Sequence, residues 1–226
     1  MTNVRTAHSE TDLGPPILGW LADRGYDLYQ EVVVGSWSAD IVGVMGKRVA
    51  VVELKRSFTF DLVAQALGRR WYAHHVYIAV PWTKASDGRR LAERICEREG
   101  IGVLYVRGRA DMVGGPDVTL DIAPAVNRKA LSSHILDALH ERQKTFAPAG
   151  TSGKRWTPFK NTVEQVQRTV AAQPGITMKA LVASFKHHYA NDTSARQHLA
   201  DWIERGKVPG VRIERVGRAL TVVPAM

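Results

Sequence analysis

The stretch from Ala39 to Arg56, ADIVGVMGKRVAVVELKR, constrains the fold of this chain more than any other. It holds two apolar segments separated by Gly46-Lys47, a pair suited to a tight turn, and it therefore predicts a β-hairpin. The second segment, VAVVEL, is continuously apolar, which is typical of a strand buried on both faces. We therefore expect this hairpin to lie inside a sheet that helices cover.

Charged residues stand at the ends of these two strands. Asp40 opens the first strand, and Glu53 and Lys55 close the second with the spacing Glu-x-Lys. Side chains two residues apart on a strand project from the same face, so Glu53 and Lys55 point together, and the hairpin brings Asp40 alongside. Charges that end a buried strand are costly unless they serve a purpose. Two carboxylates beside an ammonium can hold a divalent cation next to a phosphate.

The flanking patterns extend the hairpin into a larger α/β domain. Apolar periodicity and punctuation by glycine and proline predict elements in the order α-β-β-β-α-β-α-β. Their expected ranges are 13–24, 26–34, 39–45, 48–54, 61–72, 75–80, 88–99 and 101–106. An edge strand at 117–122 and a helix at 128–143 are expected to follow. This order predicts a mixed central sheet flanked by helices.

A second pattern begins after residue 145. Residues 146–154, FAPAGTSGK, are rich in Gly, Ala, Pro and Ser and predict a linker. The predicted domains are therefore 1–145 and 156–226, joined by a linker at 146–155. Within the second domain, helices at 162–172, 177–187 and 194–205 and strands at 211–215 and 219–223 predict a small winged helix-turn-helix.

The positive charge is concentrated in the C-terminal part of the chain. The formal net charge is +9; residues 151–226 hold 12 Lys and Arg against 5 Asp and Glu, whereas residues 1–150 hold 19 against 17. Such a local basic excess is typical of a module that binds a polyanion. The single cysteine, Cys96, rules out an internal disulfide framework and a thiolate zinc site. The polar N-terminal segment and the lack of a long apolar run favour a cytoplasmic protein without a membrane partner.

With the elements in order, Asp40, Glu53 and Lys55 in their α-β-β-β-α-β frame resemble the PD-(D/E)XK, or restriction-endonuclease-like, nuclease superfamily. The segments SETDLGPPILGWLADRGYDLYQEVV, DIVGVMGKRVAVVELKRSFTFDLVAQALGRR and HVYIAVP together resemble a family of uncharacterised phosphodiesterases in that superfamily, over residues 9–110. The proline that precedes the aspartate in the family signature is replaced by Ala39. The resemblance implies a restriction-endonuclease-like core and metal-dependent hydrolysis of phosphodiester bonds.

The resemblance also implies roles for the hairpin residues. Asp40 and Glu53 would bind Mg2+ through their carboxylates, and the backbone carbonyl of Leu54 would add a third ligand. Mn2+ would substitute for Mg2+. Lys55 would stand beside the attacking water and the scissile phosphate, where it could orient the water, lower its pKa or offset charge.

Further residues are implied around this centre. An acidic residue near the first helix, Glu10, is expected to lean into the site, although it also suits a charge at a helix N-terminus. Gln65 is expected to face the site from the helix after the Glu-x-Lys strand, the alternative being an exposed polar residue. Arg69, one turn beyond Gln65, would hold nucleic acid or be solvated. Glu31 is predicted to lie on a different strand from Asp40 and to take no direct part.

The C-terminal module supplies the remaining candidates. The third predicted helix, at 194–205, would be a recognition helix, with Arg196 and Gln197 toward nucleic acid. Arg212, Arg215 and Arg218 would track phosphates along the wing. A role of this module in protein contacts stays an alternative.

The leading hypothesis is a Mg2+-dependent deoxyribonuclease whose basic C-terminal domain binds DNA. Pairing of two copies to cut both strands is a further option. Two alternatives stay open: a non-catalytic DNA-binding regulator on a nuclease-like fold, and a nuclease that acts on RNA.

Overall fold

The chain forms two compact units, Met1–Trp156 and Thr157–Met226. The structure, a computed structural model, describes residues 9–108, 116–151, 155–187, 189–217 and 219–225. Within these ranges, no helix combines the length and the apolar character needed to cross a membrane. The boundary between the units places residues 146–155, predicted as a linker, in the first unit, where Ala147 and Ala149 are buried.

The first unit is built on a six-stranded sheet with its strands in sequence order. The strands are β1 (Asp27–Val34), β2 (Trp37–Met45), β3 (Arg48–Leu54), β4 (His75–Pro81), β5 (Gly102–Arg107) and β6 (Asp117–Ile122). β1, β2 and β3 form an antiparallel meander, β3, β4 and β5 run parallel, and β6 is antiparallel to β5. The prediction of a mixed sheet in an α/β fold is confirmed.

Helices cover both faces of this sheet. They are α1 (Glu10–Ala22), α2 (Phe60–Arg69) and α3 (Asp87–Glu99). The apolar side of α1 packs on one face, against residues that include Ile41, Val52 and Leu54. α2 and α3 pack on the other face, in a core that includes Val49 and Val51. Alternate residues of β3 therefore enter different cores, which explains why its sequence is apolar without interruption.

α1 begins three residues earlier than the sequence pattern predicted. Ser9 forms a capping box with Asp12: its hydroxyl accepts the Asp12 N–H at 3.2 Å, and the Asp12 carboxylate accepts the Ser9 N–H at 2.8 Å. Pro15 and Pro16 consequently lie inside the helix and not at its start. Because Asp12 supplies the capping carboxylate, that of Glu10 is left for other contacts.

The predicted helix at 128–143 is wrong. Only α4 (Ser133–Leu136) and a 3-10 helix (Glu141–Lys144) form there. The N–H of Asn127 bonds to the carbonyl of His74 at 2.8 Å, and the N–H of Leu131 bonds to the carbonyl of Trp71 at 2.9 Å. These contacts to the rest of the unit satisfy backbone groups without a continuous helix.

The second unit combines three helices with a three-stranded antiparallel sheet. Its elements are α5 (Pro158–Ala172), β7 (Ile176–Thr177), α6 (Met178–Ala183), α7 (Asp192–Glu204), β8 (Val211–Val216) and β9 (Ala219–Pro224), and the strand order is β7-β9-β8. Their apolar faces meet in one core around Leu181, Leu199 and Val222. The sequence predicted the three helices and the last two strands, but it missed β7 and extended α6 to residue 187.

Candidate active site

Asp40 and Glu53 occupy facing positions on the neighbouring strands β2 and β3. The antiparallel register pairs Ile41 with Val52, so the next step along the ladder sets Asp40 opposite Glu53. Oδ2 of Asp40 accepts the backbone N–H of Leu54 at 2.7 Å. Glu53 is only 4% exposed, and Asp40 is half-buried. The structure thus brings together the two carboxylates that the sequence predicted.

In the absence of a cation, burial disfavours the ionised form of both carboxylates. Burial, together with the charge of Asp40 and against the opposing effect of Arg69, raises the pKa of Glu53 to about 7. Burial also raises the pKa of Asp40, whereas the Leu54 N–H and Lys55 lower it. Two adjacent acids that resist joint ionisation form a place where a positive charge is favoured.

Lys55 and Glu10 complete the exposed side of this cluster. The Nζ atom of Lys55 lies 3.2 Å from Oε2 of Glu10, and their side chains are 36% and 29% exposed. The charge of Glu10 also contributes to raising the pKa of Asp40, after burial and against the Leu54 N–H and Lys55. Glu10 stands here because the capping box begins α1 at that residue. The predicted acidic residue before the first helix therefore lies at the site.

Arg69 is turned inward from α2. Its Nε donates to Oε1 of Glu53 at 2.6 Å, and its Nη2 donates to the carbonyl of Ser38 at 3.1 Å. Its guanidinium also stacks 4.2 Å from the ring centroid of Trp37. These contacts hold the guanidinium of Arg69 in the interior. The expected contact of Arg69 with nucleic acid stays a prediction. Gln65 is exposed one turn earlier on α2, and its role also stays a prediction.

Glu31, which the sequence predicted to take no direct part, also lies at the site. The register pairs Gln30 with Ile41 and Val32 with Ala39, which leaves Glu31 opposite Asp40. Glu31 is 2% exposed. Burial raises the pKa of its carboxyl, and the charge of Asp40 raises it further. Gly35-Ser36 could have indicated this proximity, because a two-residue turn there fixes the same register.

The donor set fits a hydrated Mg2+ ion. Leu54 occupies one oxygen of Asp40 and Arg69 occupies one oxygen of Glu53, so each carboxylate has a second oxygen for a cation. Both backbone groups of a residue in an antiparallel ladder project toward the same neighbour, so the carbonyl of Leu54 is expected to face Asp40. Among the described residues, no group of three or more His, Cys, Asp or Glu side chains is arranged to hold a metal. Two carboxylates and a carbonyl nevertheless suit Mg2+, which keeps several waters.

The candidate recognition residues lie on α7 of the second unit. Arg196 is half-buried, and its Nη2 donates to Oγ1 of Thr193 at 3.1 Å. Gln197, the next residue, is exposed. Their contact with nucleic acid stays a prediction.

The candidate wing residues differ in their surroundings. Arg212 is paired with Glu214 at 2.7 Å, and Arg215 is exposed at the far end of β8. Because they are three residues apart on a strand, they project from opposite faces. Arg218 lies outside the described residues. That these three residues track phosphates along the wing stays a prediction.

The site of the first unit therefore gathers Glu10, Glu31, Asp40 and Glu53 around the three cations Lys55, Arg69 and Arg155. Glu31 and Glu53 are buried, and the partly exposed ammonium of Lys55 lies beside the carboxylate of Glu10. No protein-family model, no curated protein and no solved structure matches this chain.

Proposed function

We propose that the first unit is a PD-(D/E)XK-type nuclease that hydrolyses phosphodiester bonds in DNA with Mg2+. The observation that carries this proposal is the facing pair Asp40 and Glu53, withdrawn from water, with Lys55 two residues beyond Glu53. A structural role for such a pair is costly, because burial raises the pKa of both carboxyls and the charge of Asp40 raises that of Glu53 further. A divalent cation offsets that cost and gives the arrangement a purpose.

Each residue then has a defined task. Asp40, Glu53 and the carbonyl of Leu54 would hold Mg2+, which when bound supplies Lewis acidity toward a phosphate oxygen. In the reaction, a water that gives up a proton to solvent attacks phosphorus in line through its oxygen, the bond between phosphorus and the 3′ oxygen breaks, and the 3′ oxygen takes up a proton from solvent. The ammonium of Lys55 orients that water and offsets the charge that grows on the phosphate. Glu10 holds the ammonium in place through the 3.2 Å contact.

Arg69 supports the metal-binding carboxylate from behind. It contacts one oxygen of Glu53 and fixes the direction of the other. Outer contacts of this kind commonly orient a metal ligand. Arg69 is therefore assigned a positioning role in the proposed site.

The second unit is proposed to be a winged helix-turn-helix that binds the DNA. Its order of helices and strands, with β7 between α5 and α6 and with the β8-β9 hairpin last, supports that assignment. The excess of 12 Lys and Arg over 5 Asp and Glu in residues 151–226 supports a polyanionic partner. In this arrangement α7 would be the helix that approaches the groove.

The test is a cleavage assay on labelled duplex, single-stranded and branched DNA and on RNA, with Mg2+, Mn2+ or EDTA. Asp40→Ala and Lys55→Ala are each expected to lower the metal-dependent rate by about 100-fold or more, the scale of losing a group that stabilises developing charge. Asp27→Ala and Lys47→Ala remove the same charges away from the site and are expected to leave the rate unchanged.

Three other outcomes would each contradict part of this proposal. Unchanged cleavage by both Asp40→Ala and Lys55→Ala would overturn the site assignment. Binding of DNA without cleavage of any substrate would favour the non-catalytic regulator. Cleavage confined to RNA would favour the RNA nuclease.

A further inference from the structure

Glu31 adopts a backbone conformation that is unfavourable for a residue with a side chain. Its φ is 51°, and within the described ranges it is the single non-glycine residue with a positive φ. Glycine would take this conformation readily. Such strain persists only where the surroundings over-determine it, and it is concentrated at functional sites.

The strands on both sides of Glu31 share the irregularity. A regular strand sends every second residue to the same face. The residues that reach the core on the α2 side are Tyr29, Val32 and Val34 in β1, and Trp37, Ala39, Val42 and Val44 in β2. Each strand breaks the alternation once, with a step of three residues: from Tyr29 to Val32 in β1 and from Ala39 to Val42 in β2. The two long steps face each other across the ladder and enclose Glu31 and Asp40. The distortion is thus centred on these two carboxylates.

Three donors hold the carboxylate of Glu31. Its Oε1 accepts the N–H of Gly150 at 2.8 Å and the N–H of Thr151 at 3.0 Å. Its Oε2 accepts Nε of Arg155 at 3.1 Å. All three lie about 120 residues downstream, so a buried side chain of β1 anchors the end of the first unit. We name residues 147–151 the strap.

The strap also lies directly against the start of α1. Gly150 has a φ of +81°, and a Cβ atom built there would stand 2.7 Å from the backbone carbonyl of Glu10. Ala149 packs in the core beneath α1, and its N–H donates to the side chain of Gln30 at 2.9 Å. The contacts therefore run from Glu31 through Gly150 to the backbone of Glu10, whose carboxylate holds Lys55.

We propose that Glu31 is a positioning residue of the site: by fixing the strap against the first turn of α1, it sets where Glu10 and Lys55 stand relative to Asp40. This inference rests on the proposed nuclease function. Without the carboxylate, two half-buried N–H groups lose the acceptor that Glu31 provides, and Arg155 loses its ion pair with Glu31. The first turn of α1 then loses its support, and the ammonium of Lys55 loses its fixed partner.

Two variants separate this role from a requirement for folding. Glu31→Gly removes the carboxylate but suits the positive φ, so the fold is expected to persist. Glu31→Gln keeps one oxygen acceptor for the strap amides. Asp27→Asn is the matched control, because Asp27 is a carboxylate on the same strand that pairs with Lys144 at 2.9 Å.

The experiment measures two quantities on the full chain. Amide hydrogen exchange at Gly150, Thr151 and the first turn of α1 is expected to quicken by about tenfold or more in Glu31→Gly, less in Glu31→Gln and not at all in Asp27→Asn. With Mg2+ and labelled DNA, kcat is expected to fall by roughly 10- to 100-fold in Glu31→Gly at an unchanged KM, with partial recovery in Glu31→Gln.

The outcomes distinguish this inference from the proposed function. Faster exchange with an unchanged kcat would show that the strap contact is structural only, and would overturn the positioning role. Unchanged exchange and unchanged kcat would overturn the inference while Asp40→Ala still tests the nuclease. If the wild type cleaves nothing, the proposed function fails, and the exchange data alone decide whether Glu31 fixes the strap and α1.

Discussion

At the scale of single residues, the contact between Arg69 and Glu53 joins α2 to the centre of the site. The two atoms are 2.6 Å apart, and the side chains are 15% and 5% exposed. Loss of one partner of a buried pair leaves the other charge uncompensated. The Trp37 ring and the Ser38 carbonyl further fix the guanidinium, so lysine cannot reproduce the full set of contacts.

We therefore expect Arg69→Ala to lower the free energy of unfolding by about 3 kcal/mol. Chemical denaturation measures this change. Arg90→Ala is the control, since its pair with Asp87 is 59% and 98% exposed and is expected to contribute less than about 1 kcal/mol. Equal losses in the two variants would contradict a special role for Arg69.

Still at the residue scale, the raised pKa of Glu53 predicts how the free energy of unfolding depends on pH. Burial raises its pKa from 4.5 to about 7, so between these values the folded protein holds a proton that the unfolded chain has released. Stability of the metal-free protein is therefore expected to fall as the pH rises from about 5 to 8, by on the order of 3 kcal/mol. The raised pKa of Asp40 acts in the same direction.

Thermal unfolding in EDTA across this pH range measures the effect. Glu53→Gln is expected to remove most of the slope, because glutamine does not titrate. Added Mg2+ is expected to reduce the loss at high pH, because the cation offsets the charge of the ionised pair. A wild-type stability that rises between pH 5 and 8 would contradict this assignment.

At the scale of elements, the start of α1 determines where Glu10 lies. Ser9→Ala removes the hydroxyl that accepts the Asp12 N–H at 3.2 Å, and is expected to cost about 1 kcal/mol. Ser86→Ala removes an equivalent cap from α3, where the hydroxyl accepts the Arg89 N–H at 3.2 Å, and is expected to cost a similar amount.

The two variants should differ in activity although they match in stability. We expect Ser9→Ala to lower kcat, because fraying of the first turn releases Glu10 from Lys55, whereas Ser86→Ala should leave kcat unchanged. Denaturation and single-turnover cleavage measure the two quantities. An equal effect of both caps on kcat would indicate that the position of Glu10 does not matter.

At the scale of the whole molecule, the concentration of positive charge in residues 151–226 predicts that the first unit cleaves DNA and the second unit contributes to binding it. Residues 1–156 retain all the side chains of the proposed site, whereas residues 157–226 form a separate unit. We expect the first unit alone to cleave DNA at a kcat close to that of the full chain but to bind it roughly tenfold more weakly, with a shallower dependence on salt. Binding constants measured at several salt concentrations check this.

The isolated second unit is the complementary sample. It is expected to bind DNA without cleaving it, and its affinity should fall steeply with salt because phosphate contacts release counterions. Equal DNA affinity of the first unit and the full chain would contradict the proposed role of the second.

The sequence alone determined the parts of the protein that depend on local pattern. The apolar run of β3 requires burial on both faces, Gly46-Lys47 closes the hairpin, and Glu-x-Lys sets two charges on one side of a strand. These relations act over a few residues, so spacing is enough to predict them. The mixed sheet and the meeting of Asp40 with Glu53 follow directly.

Only the tertiary structure decided that Arg69 contacts Glu53 and that Glu31 lies beside Asp40. Arg69 arrives through the packing of α2, and Glu31 arrives through the register of β1 against β2. The strap reaches Glu31 across 119 residues of sequence, where no periodicity links the partners. Such contacts depend on how separate elements pack and on one-residue shifts of register, and local sequence patterns do not specify either.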